Sequence, residues 1–472
     1  MNIVVNAQGS QALEVVSPID GKVYARRFYA SGAEIEAALA RAEAASRDWA
    51  RTPLETRVAL VARFGQEMVK RAPQLAETLA WQMGRPLWQA DETPRLKLVG
   101  ELAAQAAGAA LAEEGYPTDP GIRRFVRRMP HGVTLSICAW NYPVAMMGYL
   151  VTAPLIAGNV VIFKHSPQTP LTAEIAAEAF AAAGIPEGVF QAVHMTHPDA
   201  EKIIGSGRLR AVNFIGSLAG GKRVHAAAAG TLTQVHLELG GKDPAYIRAD
   251  ADIERAIPLL IEGSYSNAGQ SCCSVERIYV HQSIRDRFIE AFVAEAAQVT
   301  LDHPITGKQP YIGPVVRASS AATIRNQVAD ALSKGAKRAL PVGRSAARDL
   351  GPAYVEPEVL IDVNHTMAVM RDETFGPVAA IQTVGDDAEA VRLMNDTEYG
   401  LTASVWTADS ETGVALLDQV DAGTVYLNRC DHADLYLPWG GLRNSGTGRV
   451  NGREGLLQAT ETKSFHVRTR FV

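Results

Sequence analysis

Three short segments carry residue types able to do chemistry together. Cys272 lies in Asn267-Ala-Gly-Gln-Ser-Cys272-Cys273, where glycine and small residues let the backbone turn and bring a thiol close to a ligand. Glu238 opens the segment Glu238-Leu-Gly-Gly-Lys242, 34 positions before that thiol, and its two glycines place the carboxylate at a tight bend. Asn141 sits in Ala139-Trp140-Asn141-Tyr142-Pro143 and puts an amide at the end of an expected strand. A thiol, a carboxylate and an amide are the material of covalent catalysis: a nucleophile, a base and a hydrogen-bond donor. Each one alone has an ordinary reading, as an inert buried cysteine, a solvated turn carboxylate or a strand-end cap.

A second signal is a glycine-rich turn. Gly216-Ser-Leu-Ala-Gly-Gly221-Lys222-Arg223 follows an expected strand. It nearly spells a nucleotide-triphosphate loop, but the last position must be Ser or Thr to hold magnesium, and here it is Arg223. What survives is a strand end, a glycine turn and a helix start with free N–H groups, an anion site suited to a pyrophosphate.

The elements around these segments alternate. The first hundred residues read mainly as helices. Ser31 and Glu34 form a capping box ahead of Ile35, Leu39, Ala42 and Trp49. Thr52-Pro53-Leu54-Glu55 is a second helix start, with Thr52 as cap and Val58, Val61, Phe64 and Met68 on one face. A third helical segment covers about 98–111. Arg123-Arg124-Phe125-Val126-Arg127-Arg128 reads as an edge strand facing solvent or another subunit. Strands over 133–138, 160–163, 189–194, 211–215 and 233–238 alternate with helices, the pattern of a doubly wound parallel sheet. A second α/β series comes after it, with strands over 244–247, 277–280, 378–384 and 424–427 and a helix over 253–267.

The chain has 472 residues, 47% hydrophobic and 21% charged, which suits a globular protein of two to four domains. A net charge of −5 argues against nucleic acid as the main partner. Four cysteines, Cys138, Cys272, Cys273 and Cys430, exclude a disulfide scaffold and favour a reducing compartment. None of their spacings makes a zinc site, so no metal is expected. Residues 1–10 show no secretory signal. The uncharged run from 143 to 163 is long enough to span a bilayer, but Pro154, Gly158 and Asn159 break it into a buried helix and strand. A cytoplasmic protein without membrane contact is expected.

Together the motifs resemble the NAD(P)-dependent aldehyde dehydrogenase superfamily over nearly the whole chain. The resemblance rests on Trp140-Asn141-Tyr142-Pro143, Lys164, Gly216 to Gly221, Glu238-Leu-Gly-Gly-Lys242, Gly269-Gln-Ser-Cys272, Glu373-Thr-Phe375-Gly-Pro377, Asn428, Pro438-Trp-Gly-Gly441 and Ser445-Gly446, in the family's order. It implies an α/β fold with a Rossmann-like cofactor domain (1–108 and 131–240), an α/β catalytic domain (241–444) and a small β oligomerisation element (109–130 and 456–472). A homodimer or homotetramer is implied. So is oxidation of an aldehyde to its acid, with Cys272 as nucleophile, Asn141 and the Cys272 N–H as oxyanion donors, and Glu238 as base for the hydrolytic water. A CoA-acylating variant is disfavoured by the presence of Glu238, and a non-catalytic role by the intact set of positions.

Carried over by position, Trp140, Lys164, Ser166, Gly216, Ser217, Gly221, Leu239, Glu373 and Phe375 resemble cofactor-binding residues. Pro167 stands where NAD-preferring members often have a ribose-binding glutamate. This leaves NAD+ and NADP+ both open, with His165 and Arg208 as candidate helpers for a 2′-phosphate. Tyr142, Met146, Tyr149, Ser271, Cys273 and Trp439 resemble substrate-tunnel positions and suit a medium-sized apolar or aromatic aldehyde. Tyr149 stands where semialdehyde-oxidising members often have arginine. Arg429 offers a cation for an acid, and Asp431 or Asp434 an anion for an aminoaldehyde. Cys430 is placed near the substrate mouth, and Cys138 is read as a buried strand residue.

Overall fold

The computed structural model describes residues 11–470. The reading of residues 1–10 and the last two positions of the chain lie outside them.

The first long helix, Gly32–Arg51, begins at the expected capping box. The Ser31 hydroxyl accepts the Glu34 N–H at 3.3 Å, and the Glu34 carboxylate accepts the Ser31 N–H at 2.7 Å. Ile35, Leu39, Ala42 and Trp49 bury one face. The second helix, Leu54–Lys70, has no side-chain cap. Thr52 belongs instead to the end of the first helix, with its hydroxyl on the Asp48 carbonyl at 3.0 Å. Only two residues separate the helices, so Thr52 finishes one and cannot also cap the next. The third expected helix is Thr93–Ala110, which starts earlier than expected, with Pro94 in its first turn, and a further helix, Ala72–Met83, precedes it. The uncharged run folds as the helix Pro143–Ala157, stopped by Gly158 at φ 99°, and the buried strand Val160–Lys164. A helix apolar all round belongs in a core. Among the described residues no helix is long and apolar enough to cross a membrane.

Two parallel sheets organise the chain. The first has the order Gly446–Thr447, Gln234–Glu238, Ala211–Ile215, Val133–Ile137, Val160–Lys164 and Phe190–Ala192. All its pairs are parallel except that of Gly446–Thr447 with Gln234–Glu238. The chain starts in the middle at Val133–Ile137, winds to one side, then returns to wind to the other. This makes a switch point beside Val133–Ile137, where a crevice opens at the carboxyl ends of the strands. Asn141, Lys164, Gly216 and Glu238 all stand at those ends.

The second sheet has the order Lys337–Arg338, Glu358–Ile361, Val378–Val384, Val275–His281, Asp243–Ile247, Thr402–Trp406 and Thr424–Leu427. Thr402–Trp406 and Glu358–Ile361 are strands that periodicity does not reveal. Each sheet carries its own apolar core.

A third sheet, of three antiparallel strands, corrects one expectation. Ile122–Pro130 is its central strand, between Thr460–Arg468 and Glu114–Tyr116, and not an edge. Arg123 and Arg127 pair with Glu113 at 2.5 and 2.9 Å, and Arg124 with Asp119 at 2.6 Å. Their charge is thus largely met within the sheet.

Candidate active site

The helix Ile253–Tyr265 ends two residues sooner than expected, and the turn after it aims the thiol. Asn267, Ala268 and Gly269 all take positive φ, at 52°, 58° and 69°. Left-handed backbone at Ala268 costs energy that only surrounding contacts can hold. Asn267 supplies them: its amide donates to the Asn141 and Gln270 carbonyls at 3.0 and 3.2 Å. The Asn141 amide donates to the Gln270 carbonyl at 3.1 Å. Gln270 is held in turn, its side-chain oxygen accepting the Val316 N–H at 2.7 Å. The strand-end amide and the cysteine loop are therefore one hydrogen-bonded unit. Asn141 keeps a second amide hydrogen, and the Cys272 N–H has no acceptor among the described residues.

Glu238 is the last residue of its strand and is buried. Its register is fixed by antiparallel pairing with Gly446. One carboxylate oxygen has no hydrogen-bond partner. Burial pushes its pKa well above the usual carboxylate range, against a smaller opposing pull from Arg449.

Cys272, Glu238, Met146, Ile215 and Leu239 line two cavities at once. The smaller, of about 140 Å³, is also lined by Trp140, Asn141, Gly216, Ser217, Glu373 and Phe375. The larger, of about 280 Å³, is lined by all six expected tunnel residues: Tyr142, Met146, Tyr149, Ser271, Cys273 and Trp439. The cysteine thus sits at the junction of two separate spaces.

Six of the nine residues expected at the cofactor line the smaller space: Trp140, Gly216, Ser217, Leu239, Glu373 and Phe375. Ser217 caps the helix Leu218–Ala228, its hydroxyl accepting the Gly220 N–H at 3.2 Å. A Cβ added at Gly221 would come 2.6 Å from the Leu239 side chain, which would have to move aside for any larger residue. Lys164, Ser166 and Gly221 stand outside the cavity lining. Lys164 is fully buried with no hydrogen-bond or ion-pair partner among the described residues. Burial lowers its pKa to about 8. An unpaired buried ammonium at a strand end calls for a ligand. Ser166 is turned locally, its hydroxyl accepting the Gln168 N–H at 3.2 Å.

Opposite, the Glu373 carboxylate accepts the Gly241 N–H at 3.2 Å, and burial, with Glu276 nearby, raises its pKa to about 8. The Phe375 ring meets Trp140 edge-on at 5.5 Å. The two helpers proposed for a 2′-phosphate are otherwise engaged. His165 is buried, facing the Pro143 carbonyl at 3.3 Å and Ser166 N–H at 2.9 Å. Arg208 pairs with Glu36 and Glu43 at 2.5 and 2.8 Å.

Several residues of the site gave no sequence signal. Glu276 accepts the Thr374 and Phe375 N–H groups at 2.8 Å each and pairs with buried Lys242. Its only trace is a charge inside an apolar strand. Arg85, Arg95 and Glu262 line the larger cavity. So do Arg429 and Asp431, whereas Asp434 turns to the Tyr436 N–H at 2.9 Å. Asp431 accepts from Ser271 and Cys273 at 3.0 and 2.9 Å, and burial raises its pKa to about 7. Cys430 does not face the mouth; it is buried, with its thiol on the Leu259 carbonyl at 3.3 Å. Cys138 is buried, as expected.

A thiol at the junction of a space lined by the expected cofactor residues and a second, larger space suits a two-substrate enzyme, and comparison with known proteins gives the family. The model of the aldehyde dehydrogenase family matches residues 4–465. A betaine aldehyde dehydrogenase of Sinorhizobium fredii is 32% identical over 458 residues, 96% of this chain and 93% of its own. One from Brucella melitensis is 32% identical over 98% of this chain and 95% of its own. An aldehyde dehydrogenase structure from Brucella melitensis superposes with a TM-score of 0.94 at 29% identity, covering 99% of this chain and 96% of that one. An Escherichia coli structure described as an NADP dependent enzyme gives 0.94 at 28%, covering 98% and 96%. A Staphylococcus aureus betaine aldehyde dehydrogenase in complex with NAD+ gives 0.93 at 27%, covering 99% and 96%. The chain belongs to the aldehyde dehydrogenase family. It is an oxidoreductase acting on aldehydes.

Proposed function

We propose that this protein oxidises an aldehyde to its carboxylic acid with NAD+ or NADP+, through covalent catalysis at Cys272. The observation that carries this reading is the meeting of two cavities at Cys272 and Glu238. Trp140, Lys164, Ser166, Gly216, Ser217, Gly221, Leu239, Glu373 and Phe375 would hold the cofactor. When bound, it supplies the hydride acceptor. The relatives include one structure with NAD+ and one described as NADP dependent, and the choice between them is left to experiment.

The Cys272 thiolate adds to the aldehyde carbon, and the carbonyl oxygen becomes an oxyanion. The second amide hydrogen of Asn141 and the free N–H of Cys272 are donors for that oxygen. After oxidation the acyl group stays on Cys272 as a thioester. Glu238 takes a proton from water, the water oxygen attacks the thioester carbon, and the acid leaves as the thiol is restored. The apolar and aromatic wall of Tyr142, Met146, Tyr149 and Trp439 supports a medium-sized apolar or aromatic substrate. The name of the relatives favours an aminoaldehyde as a second reading.

The domain division suggested by resemblance is supported by the separate parallel sheets. The three-stranded sheet, with Tyr116, Met129 and Val467 exposed, is the proposed surface for a homodimer or homotetramer. Free, reduced cysteines suit a cytoplasmic enzyme.

The test is an aldehyde panel with each cofactor, read by absorbance of the reduced nicotinamide. Turnover is expected in the wild type and lost in Cys272→Ala. Full activity in that variant would refute the mechanism.

A further inference from the structure

The larger cavity carries donors without acceptors. Arg95 reaches the larger cavity from the helix Thr93–Ala110. Its Nε donates to the Tyr149 hydroxyl at 2.7 Å, and an Nη2 hydrogen goes to the Ala433 carbonyl. No carboxylate lies within ion-pair distance of it among the described residues. Tyr149 accepts from Arg95, so its own hydroxyl hydrogen remains to be donated, and no acceptor for it exists among the described residues. Burial pushes the Tyr149 pKa up, which keeps that hydrogen in place. Arg429 lines the same cavity, again without an ion-pair partner among the described residues.

The acids of this wall are differently placed. Behind it, Glu92 is tied to Arg85 at 2.7 Å; of the acids that line it, Glu238 belongs to the junction with the smaller space. Asp431 is engaged by Ser271 and Cys273. Glu262 is exposed at the rim. Two of the aromatic faces that would receive a cation, those of Tyr142 and Tyr149, are also taken. The Arg85 guanidinium lies 4.8 Å from the Tyr142 ring centre, and that of Arg95 lies 5.9 Å from the Tyr149 ring centre. A substrate ammonium seeking these rings would meet positive charge already there.

We infer that Arg95 and Tyr149, with Arg429 beside them, form a carboxylate subsite, so that the enzyme's substrates are aldehydes ending in a carboxylate and not in an ammonium group. A planar guanidinium with free N–H groups matches a carboxylate, and the tyrosine hydroxyl adds a third donor. The inference rests on the dehydrogenase reading. It places the arginine on a different helix from the one sequence comparison points to, next to Tyr149 and not in its place.

Three straight-chain aldehydes of one length, ending in methyl, carboxylate or trimethylammonium, test it by formation of reduced cofactor. The carboxylate is expected to exceed the methyl in kcat/KM by about tenfold or more, the worth of a charged hydrogen bond, with the ammonium lowest. Arg95→Met should bring the carboxylate-to-methyl ratio towards one through KM, and Arg95→Lys should keep part of it. Equal activity on methyl and carboxylate, preference for the ammonium, or an unchanged ratio in Arg95→Met overturns the subsite. A second measurement needs no variant: binding of a straight-chain dicarboxylate and of the monocarboxylate of equal length to wild-type enzyme, by calorimetry. Tighter binding of the dicarboxylate supports the subsite, and equal binding sinks it. Absence of oxidation with every aldehyde would refute the dehydrogenase reading, while the calorimetry would still decide the subsite.

Discussion

Arg85 and Glu92 form an ion pair at 2.7 Å behind the tunnel wall. The other oxygen of Glu92 accepts the Val144 and Ala145 N–H groups, each at 2.9 Å. Those amides open the helix Pro143–Ala157, which directly follows Asn141 and Tyr142. One buried carboxylate therefore fixes the segment that carries Asn141, the proposed oxyanion donor. Glu92→Ala would leave two helix amides and a largely buried guanidinium without partners. The expected cost is about 3–5 kcal/mol, seen as an earlier urea transition, and any folded fraction should show lower kcat.

Asn141→Ala removes the proposed donor to the oxyanion and, with it, the amide's hydrogen bond to the Gln270 carbonyl. Loss of one such donor lowers kcat by about 100- to 1000-fold. Steady-state kinetics should show this with little change in KM for the aldehyde.

Glu238 gives a pH test. Its buried carboxyl binds a proton more tightly than usual, so the base form appears only as pH rises through that elevated pKa. Thioester hydrolysis should accelerate with rising pH, and Glu238→Gln should flatten this limb. In that variant a burst of reduced cofactor should be followed by slow turnover, with an acyl adduct on Cys272 visible by mass spectrometry. The sign for stability is opposite. The folded state holds the proton more tightly, so the cost of ionising Glu238 grows as pH rises from its unfolded pKa towards its folded one.

Gly241→Ala tests close approach. Its Cβ would lie 2.7 Å from the Cys272 carbonyl oxygen, with the Asp243 carboxylate at 2.5 Å. The backbone of the cysteine loop must move, at about 1–3 kcal/mol. Reduced kcat and a changed rate of Cys272 alkylation are expected, whereas unchanged values of both would refute the contact.

Lys164→Met removes the buried, unpartnered ammonium at its strand end. The KM for the cofactor should rise by about tenfold or more, as for a lost charged hydrogen bond. Thermal stability of the protein without cofactor should not fall, because the charge has no partner there to lose.

The local chemistry was legible in the sequence because it is written in neighbouring residues. The capping box at Ser31 and Glu34, the break at Gly158, the bend after Glu238 and the small residues before Cys272 each act over a few positions. Alternating apolar strands and helices likewise announced a doubly wound sheet, since its buried parallel strands are short apolar runs. Thr402–Trp406 escaped because Thr402, Ala403 and Ser404 form no such run; pairing with Asp243–Ile247 and Thr424–Leu427 makes it a strand. The three-stranded sheet escaped for a related reason. Alternation marks residues 123–128 as a strand but says nothing about how many partners flank it.

Tertiary structure alone decided what surrounds the thiol. Glu92 acts across 52 positions on Val144, Arg95 across 54 on Tyr149, and Asp431 across 158 on Cys273. The loop around Asp431 and the resemblance at Tyr149 and Cys273 single those residues out in the sequence, but nothing in the chain around Glu92 or Arg95 does. Their roles arise because the two windings of the first sheet and the loops of the second bring them to one crevice, where burial withdraws water and leaves each polar group to its nearest neighbour. The sequence by itself singled out the proposed nucleophile, base and amide. The packing of distant segments decided how Asn141 is held, where Glu238 is buried, and which charges face the substrate.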